Sequence, residues 1–210
     1  MARSKSSSAW LKRHVNDPYV HRARAHGYRS RAAYKLIEIA DREGFARPGD
    51  AVVDLGAAPG GWAQALAERV GRSGRVFAVD LLDIAPIPGV TVVRGDFREE
   101  TVLQRLEDAL DGRKLDLVVS DMAPNLSGVR ATDQARSVHL CELALAFAKD
   151  HLKPRGAFLV KIFQGTGYPE FLAGMRRVFV SVASRKPGAS RGESKEMYLV
   201  GKGLKARTGP

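Results

Sequence analysis

The chain has 210 residues, enough for one domain with a sizeable core, and its hydrophobic fraction of 44% is ordinary for a globular protein. No apolar run approaches the ~20 residues needed to cross a bilayer, and the first residues lack the apolar segment of a signal peptide, so we expect a cytoplasmic protein. The single cysteine, Cys141, excludes an internal disulfide and lies on an apolar helical stripe, which predicts a core position.

The net charge of +11 is concentrated at the two ends of the chain. Residues 1–35 contain nine Lys/Arg and one acid, and residues 176–210 contain nine Lys/Arg and two acids, giving +8 and +7. Residues 36–175 contain sixteen basic and twenty acidic side chains, giving −4. A slightly acidic body with basic ends favours nucleic acid as a partner over simple solubility. It also favours nucleic acid over a membrane surface, because neither end shows a clean amphipathic helix.

The first 29 residues predict a basic N-terminal extension that is partly disordered. Residues 1–9 contain four serines and two basic side chains, a composition typical of disorder. The segment 10–29 interleaves aromatic and basic side chains: Trp10, Tyr19 and Tyr28 with Lys12, Arg13, Arg22, Arg24 and Arg29. Such a pattern can stack on splayed bases and hold phosphates, or it can form a basic helix that packs on the domain through its aromatics. The two interpretations are compatible.

A helix is predicted next, with Ser30 as its N-cap and its end near Glu43. Its buried stripe is formed by apolar side chains at helical spacing: Ala33, Leu36, Ile37 and Ala40. Lys35 lies just beside this stripe. Periodicity alone makes it a solvated lysine, but from that position it can also reach the edge of a sheet.

The apolar run Ala51–Val53 predicts the first strand, and Asp54 and a glycine-rich turn follow it before a helix that ends near Val70. Glycines such as Gly56 let the backbone approach a ligand closely. The turn is not the GxGxxG of dinucleotide enzymes, and Asp54 would repel a pyrophosphate. The carboxylate suits a cationic ligand, such as the sulfonium and amino groups of S-adenosylmethionine. The alternative is that the glycines serve only the turn.

Two further predicted strands also end in acids. The run 75–79 is closed by Asp80, 24 residues past Gly56, where a carboxylate can accept hydrogen bonds from both ribose hydroxyls. The run 90–94 leads to Asp96, which can take the exocyclic amine of adenine, with Phe97 nearby for packing. One acid at a strand end is weak support, but three in succession predict a nucleoside site.

The remaining predicted elements alternate between helix and strand. They are a helix at 99–110, a strand at 115–120 before Asp121, a polar loop at 126–136, a helix at 135–152, a break at 153–156, a strand at 157–160 before Lys161, a helix at 170–179, a strand at 180–184, a basic loop at 185–195 and a strand at 196–200. This order predicts an α/β fold with a mostly parallel sheet and a ligand at the carboxyl ends of its strands. We find no internal repeat and no metal-ligand cluster in the sequence.

Four charged residues are predicted to face one cleft: Lys35, Asp121, Lys161 and Glu196. Lys161 is the most informative, because an ammonium group beside an apolar strand is costly unless it is paired. A neighbouring acid would hold this lysine in place, while desolvation and a second lysine would favour its neutral form. Such a lysine can act as a general base toward a hydroxyl. The alternative is a lysine whose end reaches solvent at the edge of the sheet.

Several motifs together resemble the FtsJ/RrmJ family of ribosomal RNA large subunit methyltransferases. They are DLGAAPGGW, VDLLDI, GDF, DMAPN, ELAL, VKIFQG and SRGESKEMYLV. The similarity runs almost collinearly from Ser30 to Lys202, and DMAPN and VKIFQG are far more specific than the glycine turn. The resemblance implies a Rossmann-like class I S-adenosylmethionine-dependent methyltransferase domain at 30–202, with a seven-stranded sheet, helices on both faces and a basic tail at 203–210.

The resemblance also implies the roles of individual residues. The K-D-K-E tetrad that the family uses for 2′-O-methylation corresponds to Lys35, Asp121, Lys161 and Glu196. The family's S-adenosylmethionine contacts correspond to Gly60, Trp62, Asp80, Asp96 and Asp121, to which the residue-level argument adds Asp54 and Gly56. Every matched position keeps the expected residue type.

The implied reaction is methylation of a uridine ribose in the A-loop of 23S rRNA, on the assembled or nearly assembled large subunit. We expect a monomer that needs no metal and no membrane. Similar tetrads occur in enzymes that methylate transfer RNA or caps, so another RNA is an alternative. A non-catalytic RNA-binding assembly factor is a second alternative, which the complete tetrad disfavours. The basic ends argue against a small-molecule methyltransferase, and the missing GxGxxG argues against an NAD oxidoreductase.

Overall fold

A seven-stranded sheet forms the centre of the computed structural model, which describes residues 17–125, 127–190 and 194–206. The strands are β1 (Ala51–Leu55), β2 (Arg75–Asp80), β3 (Val90–Arg94), β4 (Leu115–Ser120), β5 (Leu152–Phe163), β6 (Phe179–Arg185) and β7 (Glu196–Leu204). The helices within the described residues are α1 (Pro18–Ala25), α2 (Ala32–Glu43), α3 (Gly61–Val70), α4 (Glu100–Leu110), α5 (Arg130–His151) and α6 (Tyr168–Val178).

The strand order is β3-β2-β1-β4-β5-β7-β6, and the first five strands in this order are parallel. This arrangement confirms the predicted fold class. Strand β7 is antiparallel to both of its neighbours, so it begins at the edge where the parallel strands end. Glu196, its first residue, pairs with Phe163 at the end of β5. The antiparallel strand thereby brings a residue near the end of the chain to the edge predicted to hold the ligand.

Helices cover both faces of the sheet, as expected for parallel strands that are joined by helical crossovers. On one face α2 and α3 pack through residues such as Leu36 and Leu66, and on the other α4, α5 and α6 pack through residues such as Leu106 and Phe171. Cys141 is buried on this second face, which confirms its predicted core position.

Helix α5 begins at Arg130, five residues before its predicted start, so the polar loop is shorter than expected. The cause is the carboxylate of Asp133, which accepts hydrogen bonds from the backbone N–H and the hydroxyl of Ser127, both at 2.7 Å, and from the N–H of Gly128 at 3.1 Å. These bonds hold the chain against the first turn of the helix and stabilise it there.

Other boundaries also differ from their predictions, and two of these differences have a structural cause. The break expected at 153–156 is part of β5, which begins at Leu152 opposite Leu115, and a register shift on β4 absorbs the irregularity. The predicted N-cap Ser30 is wrong by one residue, because Arg31 occupies that position and makes no side-chain capping bond. Ser30 instead packs against Gly61, where a Cβ atom would lie only 2.3 Å from the serine hydroxyl oxygen.

The basic segment before α2 contains helix α1 and packs on the domain. Asp17 caps this helix by accepting a hydrogen bond from the N–H of Tyr19 at 3.0 Å. Ala23 on its inner side packs with Tyr34 and Ala189. The predicted disorder at 1–9, and the predicted base contacts of Trp10, Lys12 and Arg13, lie outside the described residues.

Candidate active site

A cavity of about 620 Å³ opens at the carboxyl ends of β1 to β4. Its lining comes from the segments that follow these strands and from one side of α5, at 56–58, 79–82, 95–98, 121–125 and 136–140. Of the residues predicted to bind the cofactor, Gly56, Asp80, Asp96 and Asp121 line this cavity. Parallel strands that end at one edge place these side chains together although they are far apart in sequence.

The glycine-rich turn passes very close to the segment after β4. Gly56 has a φ of +79°, and a Cβ atom there would lie 2.8 Å from the backbone of Met122. Glycine is therefore required both by the backbone conformation and by the available space. Gly60 and Trp62 are buried and do not line the cavity. The indole N–H of Trp62 donates to the carbonyl of Ala32 at 2.8 Å, so its side chain faces α2.

Two backbone N–H groups orient the carboxylate of Asp80. Ala58 donates to Oδ2 at 2.8 Å, and Leu82 donates to Oδ1 at 2.8 Å. Each carboxylate oxygen can accept more than one hydrogen bond. Asp80 therefore retains acceptor capacity toward the cavity, as the recognition of two ribose hydroxyls requires.

Asp96 is paired with Arg98 two residues later. The guanidinium contacts both carboxylate oxygens, with Nε 2.9 Å from Oδ1 and Nη2 2.5 Å from Oδ2. These hydrogen bonds hold the pKa of the Asp96 carboxyl below its ordinary value. Asp96 thus keeps its charge at the rim of the cavity. Phe97 packs edge-on against Phe147, with 5.6 Å between the ring centres.

Asp54 is fully buried and does not line the cavity. Neither of its carboxylate oxygens makes a hydrogen bond of normal length and angle with the described residues, and the backbone N–H of Ala63 lowers its pKa only as the smallest of several effects. Burial is the main cause that raises the pKa of this carboxyl well above its ordinary value, and the negative charges of Asp121 and Asp80 add to the effect. In this geometry Asp54 lies beneath the site, and its contact with the cofactor stays a prediction.

The cavity residues fit S-adenosylmethionine. Asp80 offers acceptors for ribose hydroxyls and Asp96 offers them for an amine, while Leu81, Phe97 and Met122 supply apolar surface for a ring. Sequence reasoning missed several lining residues, among them Leu81, Met122, Arg136 and His139. Arg136 and His139 lie one helical turn apart on α5, but their part in the cavity depends on where that helix crosses the strand ends.

The structure brings together all four residues predicted for catalysis, in two ion pairs. Lys35 on α2 donates to Oε1 of Glu196 at 2.6 Å. The ammonium nitrogen of Lys161 on β5 lies 2.6 Å from the backbone oxygen of Asp121 and 3.2 Å from its Oδ1. Lys35 and Lys161 are each 8% exposed, so neither is a solvated surface lysine. Asp121 connects the ion pairs to the cavity, because it pairs with Lys161 and also lines the cavity.

Tyr198, which sequence reasoning missed, joins the two ion pairs. Its hydroxyl accepts a hydrogen bond from Lys35 at 3.3 Å and donates one to Oδ1 of Asp121 at 3.4 Å. Side chains two residues apart on a strand point to the same face, so Glu196 and Tyr198 face the cluster together. Ser190, also missed, donates from its hydroxyl to Oε1 of Glu196 at 2.9 Å.

The charges in this cluster are balanced. Burial is the largest single effect and raises the pKa of the Glu196 carboxyl, but the charge and hydrogen bond of Lys35, the Ser190 hydroxyl and the charge of Lys161 together outweigh it, so the pKa is lower than its ordinary value. Burial, together with the carboxylates of Asp121 and Glu196, raises the pKa of Tyr198 well above its ordinary value. Tyr198 therefore stays a neutral phenol that can donate to Asp121.

Exposed arginines project from α1. The guanidinium of Arg22 lies over two aromatic rings, 4.9 Å from the ring centre of Tyr34 and 5.7 Å from that of Tyr19. Arg24 is exposed one half-turn further on. These aromatic rings pack against one another and against the domain, as one of the two interpretations of this segment expected, and its contacts with nucleic acid stay a prediction.

Other kinds of site were sought in the part of the chain that the structure describes. It contains no group of three or more His, Cys, Asp or Glu side chains arranged to hold a metal ion. None of the helices described is long and apolar enough to span a membrane.

Comparison with known proteins gives consistent results. The family model of FtsJ-like methyltransferases matches residues 28–204. Ribosomal RNA large subunit methyltransferase E of Chromobacterium violaceum is 61% identical over 203 residues, covering 97% of this chain and 99% of that protein. The protein of the same name from an Azoarcus species is 58% identical over 205 residues, covering 98% of this chain and 100% of that protein.

A solved structure is also similar along its whole length. The crystal structure of a ribosomal RNA methyltransferase from Plasmodium falciparum has a TM-score of 0.77 and 28% identity, covering 86% of this chain and 100% of that one. The family match spans the cavity and all four residues of the two ion pairs. The chain thus belongs to the FtsJ-like methyltransferase family and is an S-adenosylmethionine-dependent methyltransferase.

Proposed function

We propose that the protein methylates the 2′-hydroxyl of a uridine in large-subunit (23S) ribosomal RNA, in the A-loop of the assembled or nearly assembled subunit. The ribosomal part of this proposal is supported by the relatives, which carry the name ribosomal RNA large subunit methyltransferase E at 61% and 58% identity. The two basic ends of the chain, at +8 and +7, are suited to a polyanionic substrate. The substrate is RNA because DNA lacks the hydroxyl that would be methylated.

The proposed cofactor contacts follow the geometry of the cavity. Asp80 would hold the ribose hydroxyls, and Asp96 would accept from the adenine amine beside Phe97. Gly56 would allow the backbone to approach the ligand, whereas a contact of Gly60 or Trp62 with the cofactor stays a prediction, because neither residue lines the cavity. When bound, S-adenosylmethionine supplies an electrophilic methyl group on a sulfonium.

Lys161 is the proposed general base. In its ion pair with Asp121, Lys161 is an ammonium without a lone pair, so it must release one proton before it can act as a base. The neutral amine that remains has two N–H donors and one lone pair. Its hydrogen bond to the backbone oxygen of Asp121, at 2.6 Å, and its contact with Oδ1, at 3.2 Å, can engage both donors, which leaves the lone pair to accept the proton of the 2′-hydroxyl. The ammonium that forms is stabilised by the Asp121 carboxylate beside it. The oxygen would thereby lose its proton as it takes the methyl group, and the carbon–sulfur bond of the sulfonium would break with its electron pair left on sulfur.

Lys35 and Glu196 are proposed to position the ribose and balance the charge around it. Their 2.6 Å ion pair is nearly excluded from solvent and is tied to Asp121 through Tyr198, so its geometry is fixed before the substrate arrives. Orientation of this kind can supply a large part of a rate gain, about 7–11 kcal/mol at best.

The observation that carries the proposal is the pair of buried ion pairs, Lys161–Asp121 and Lys35–Glu196, next to the cavity. The test is to map 2′-O-methyl groups in rRNA from cells with the protein, without it, and with only its Lys161→Ala variant. We expect one uridine methyl of the large-subunit RNA to be lost in the last two cases. Loss from transfer RNA or a cap would favour the alternative substrate. An unchanged map would favour a non-catalytic assembly factor.

A further inference from the structure

Arg29 contacts two of the segments that contribute to the cofactor cavity, the glycine-rich turn after β1 and the segment after β2. Its Nη1 donates to the carbonyl of Ala85 at 2.6 Å and to that of Pro59 at 3.3 Å, and its Nη2 donates to the carbonyl of Pro86 at 2.8 Å. Pro59 belongs to the glycine-rich turn after β1, and Ala85 and Pro86 belong to the segment after β2. One guanidinium therefore ties together two loops that are separate in sequence, through three backbone oxygens.

The backbone of Arg29 is itself fixed to α3. Its N–H donates to the side-chain oxygen of Gln64 at 2.8 Å, and the amide nitrogen of Gln64 donates to the carbonyl of Gly27 at 3.1 Å. The hydroxyl of Tyr28 donates to Glu68 at 2.6 Å. Three hydrogen bonds thus anchor the segment 27–29 on one helix, so the position of its guanidinium is determined by α3.

The same two loops hold the carboxylate of Asp80 from the inside. Ala58 of the glycine-rich turn and Leu82 of the segment after β2 each donate a backbone N–H to it, at 2.8 Å. Arg29 fixes the outer side of these loops, and its packing is tight at Gly60, where a Cβ atom would lie 3.0 Å from Nη1. A change in the spacing of the loops would pull the two N–H donors apart and turn the carboxylate.

We propose that Arg29 is a positioning residue for cofactor binding, which holds the two loops at the spacing that presents Asp80 to the ribose. It acts through Pro59, Ala85 and Pro86 and does not itself line the cavity. The inference rests on the methyltransferase assignment and is independent of the RNA target. Its failure would therefore leave the proposed substrate untouched.

The test measures binding of S-adenosylhomocysteine by calorimetry to the full-length protein and its variants. We expect Arg29→Ala and Arg29→Gln to raise Kd about five- to tenfold, as the loss of one to two net hydrogen bonds implies. Arg29→Lys should be intermediate, because an ammonium cannot span carbonyls in two loops as a planar guanidinium does. KM for S-adenosylmethionine should rise in parallel, with kcat at saturation within about twofold.

Arg75→Ala is the matched control. Arg75 also donates to backbone carbonyls, those of Gly74 at 2.8 Å and Arg72 at 3.4 Å, but it does so at the opposite end of β2. This variant should bind S-adenosylhomocysteine as the wild type does. Hydrogen exchange of the unliganded protein gives the second readout: in Arg29→Ala the N–H groups of Ala58 and Leu82 should exchange faster, while those of β4 stay unchanged.

Two results would overturn the inference. One is a wild-type Kd in a folded Arg29→Ala variant, even if its melting temperature falls, because Arg29 would then serve stability alone. The other is faster exchange spread equally over β4 and the two loops. If Arg29→Ala does not fold, Arg29→Lys decides the question by the same two measurements.

Discussion

The proposed catalytic cluster of Lys35, Asp121, Lys161 and Glu196 and the proposed cofactor cavity meet at one edge of the sheet, but their charges are held in different ways. In the cluster each charge pairs with a side chain of opposite sign, as Lys35 does with Glu196 and Lys161 with Asp121. In the cavity Asp80 is held by two backbone N–H groups and keeps its acceptor capacity for a ligand. A reaction centre needs fixed geometry and balanced charge, whereas a binding site needs acceptors that remain open to its ligand.

Substitution of Lys161 in the cluster should have the largest effect, which is a loss of turnover. We expect Lys161→Ala to leave folding and cofactor affinity nearly intact but to lower turnover by roughly 10²–10⁴, the usual contribution of a positioned acid–base group. Lys161→Arg should be nearly as slow, because a guanidinium stays protonated and cannot accept the hydroxyl proton. Single-turnover methyl transfer to large ribosomal subunits, measured beside thermal melting, tests both variants.

The matched control for this experiment is Lys153→Arg. Lys153 lies on the same strand, but its ammonium pairs with Asp116 at 2.8 Å at the other end of β5. This control should keep wild-type turnover. A Lys161→Arg enzyme with near-wild-type turnover would refute the role of general base.

Breaking the cavity at Asp80 should have the next largest effect, on binding instead of chemistry. We expect Asp80→Ala to weaken the binding of S-adenosylmethionine by about 2–3 kcal/mol, because charge-assisted hydrogen bonds to the ribose are lost. Calorimetry is the measurement. Asp83→Ala removes a carboxylate from the same loop whose side chain is 81% exposed, and it should bind normally. If the folded Asp80→Ala variant keeps the wild-type affinity for S-adenosylmethionine, Asp80 does not contribute to cofactor binding.

Asp54 sharpens the comparison, because it is a buried carboxylate with no side chain of opposite charge and no hydrogen bond of normal geometry among the described residues. Its pKa in the folded state lies well above the ordinary 3.8, so the native state keeps this proton at pH values where the unfolded state has released it. The free energy of unfolding should therefore fall as pH rises from about 4 toward the folded pKa, by at most ~1.4 kcal/mol per pH unit. Below the ordinary value this contribution to stability is fully present.

Asp54→Asn should abolish that part of the pH dependence. Urea unfolding of both proteins between about pH 4.5 and about pH 7 measures it, since other titrating groups cancel in the difference. The stability of the wild type relative to Asp54→Asn should decrease steadily with pH. Parallel curves for the two proteins would show that Asp54 ionises normally in the fold.

The smallest expected effect is on RNA binding, from changes in α1, which lies outside the ion-pair cluster and the cofactor cavity. Each phosphate contact should contribute about −0.7 to −0.9 to the slope of log K against log salt concentration for RNA binding. Reversing the charges of Arg22 and Arg24 should flatten that slope and leave cofactor affinity unchanged. The control is charge reversal at Arg72 and Arg113, which are exposed in the turns before β2 and β4. This control should leave the slope of the salt dependence unchanged. A wild-type slope near zero would contradict the electrostatic argument.

The sequence predicted the regular elements and the acids at their ends, because apolar runs and the residues that stop them are local features. It did not predict Tyr198, Ser190 or the contacts of Arg29, since each depends on partners that only the folded chain brings near. The burial of Asp54 was equally inaccessible: an apolar run shows where a strand ends but not whether the acid that follows faces the ligand or the core.

The antiparallel insertion of β7 makes the proposed reaction centre dependent on a strand that is synthesised after all the segments that line the cavity. Lys35 meets a carboxylate 161 residues further along, whereas the segments that line the cofactor cavity all lie between residues 56 and 140. A chain interrupted before residue 196 lacks Glu196, Tyr198 and the strand that separates β5 from β6. Premature termination or proteolytic loss of the C-terminal end therefore yields products with a cofactor-binding segment but an incomplete centre for methyl transfer.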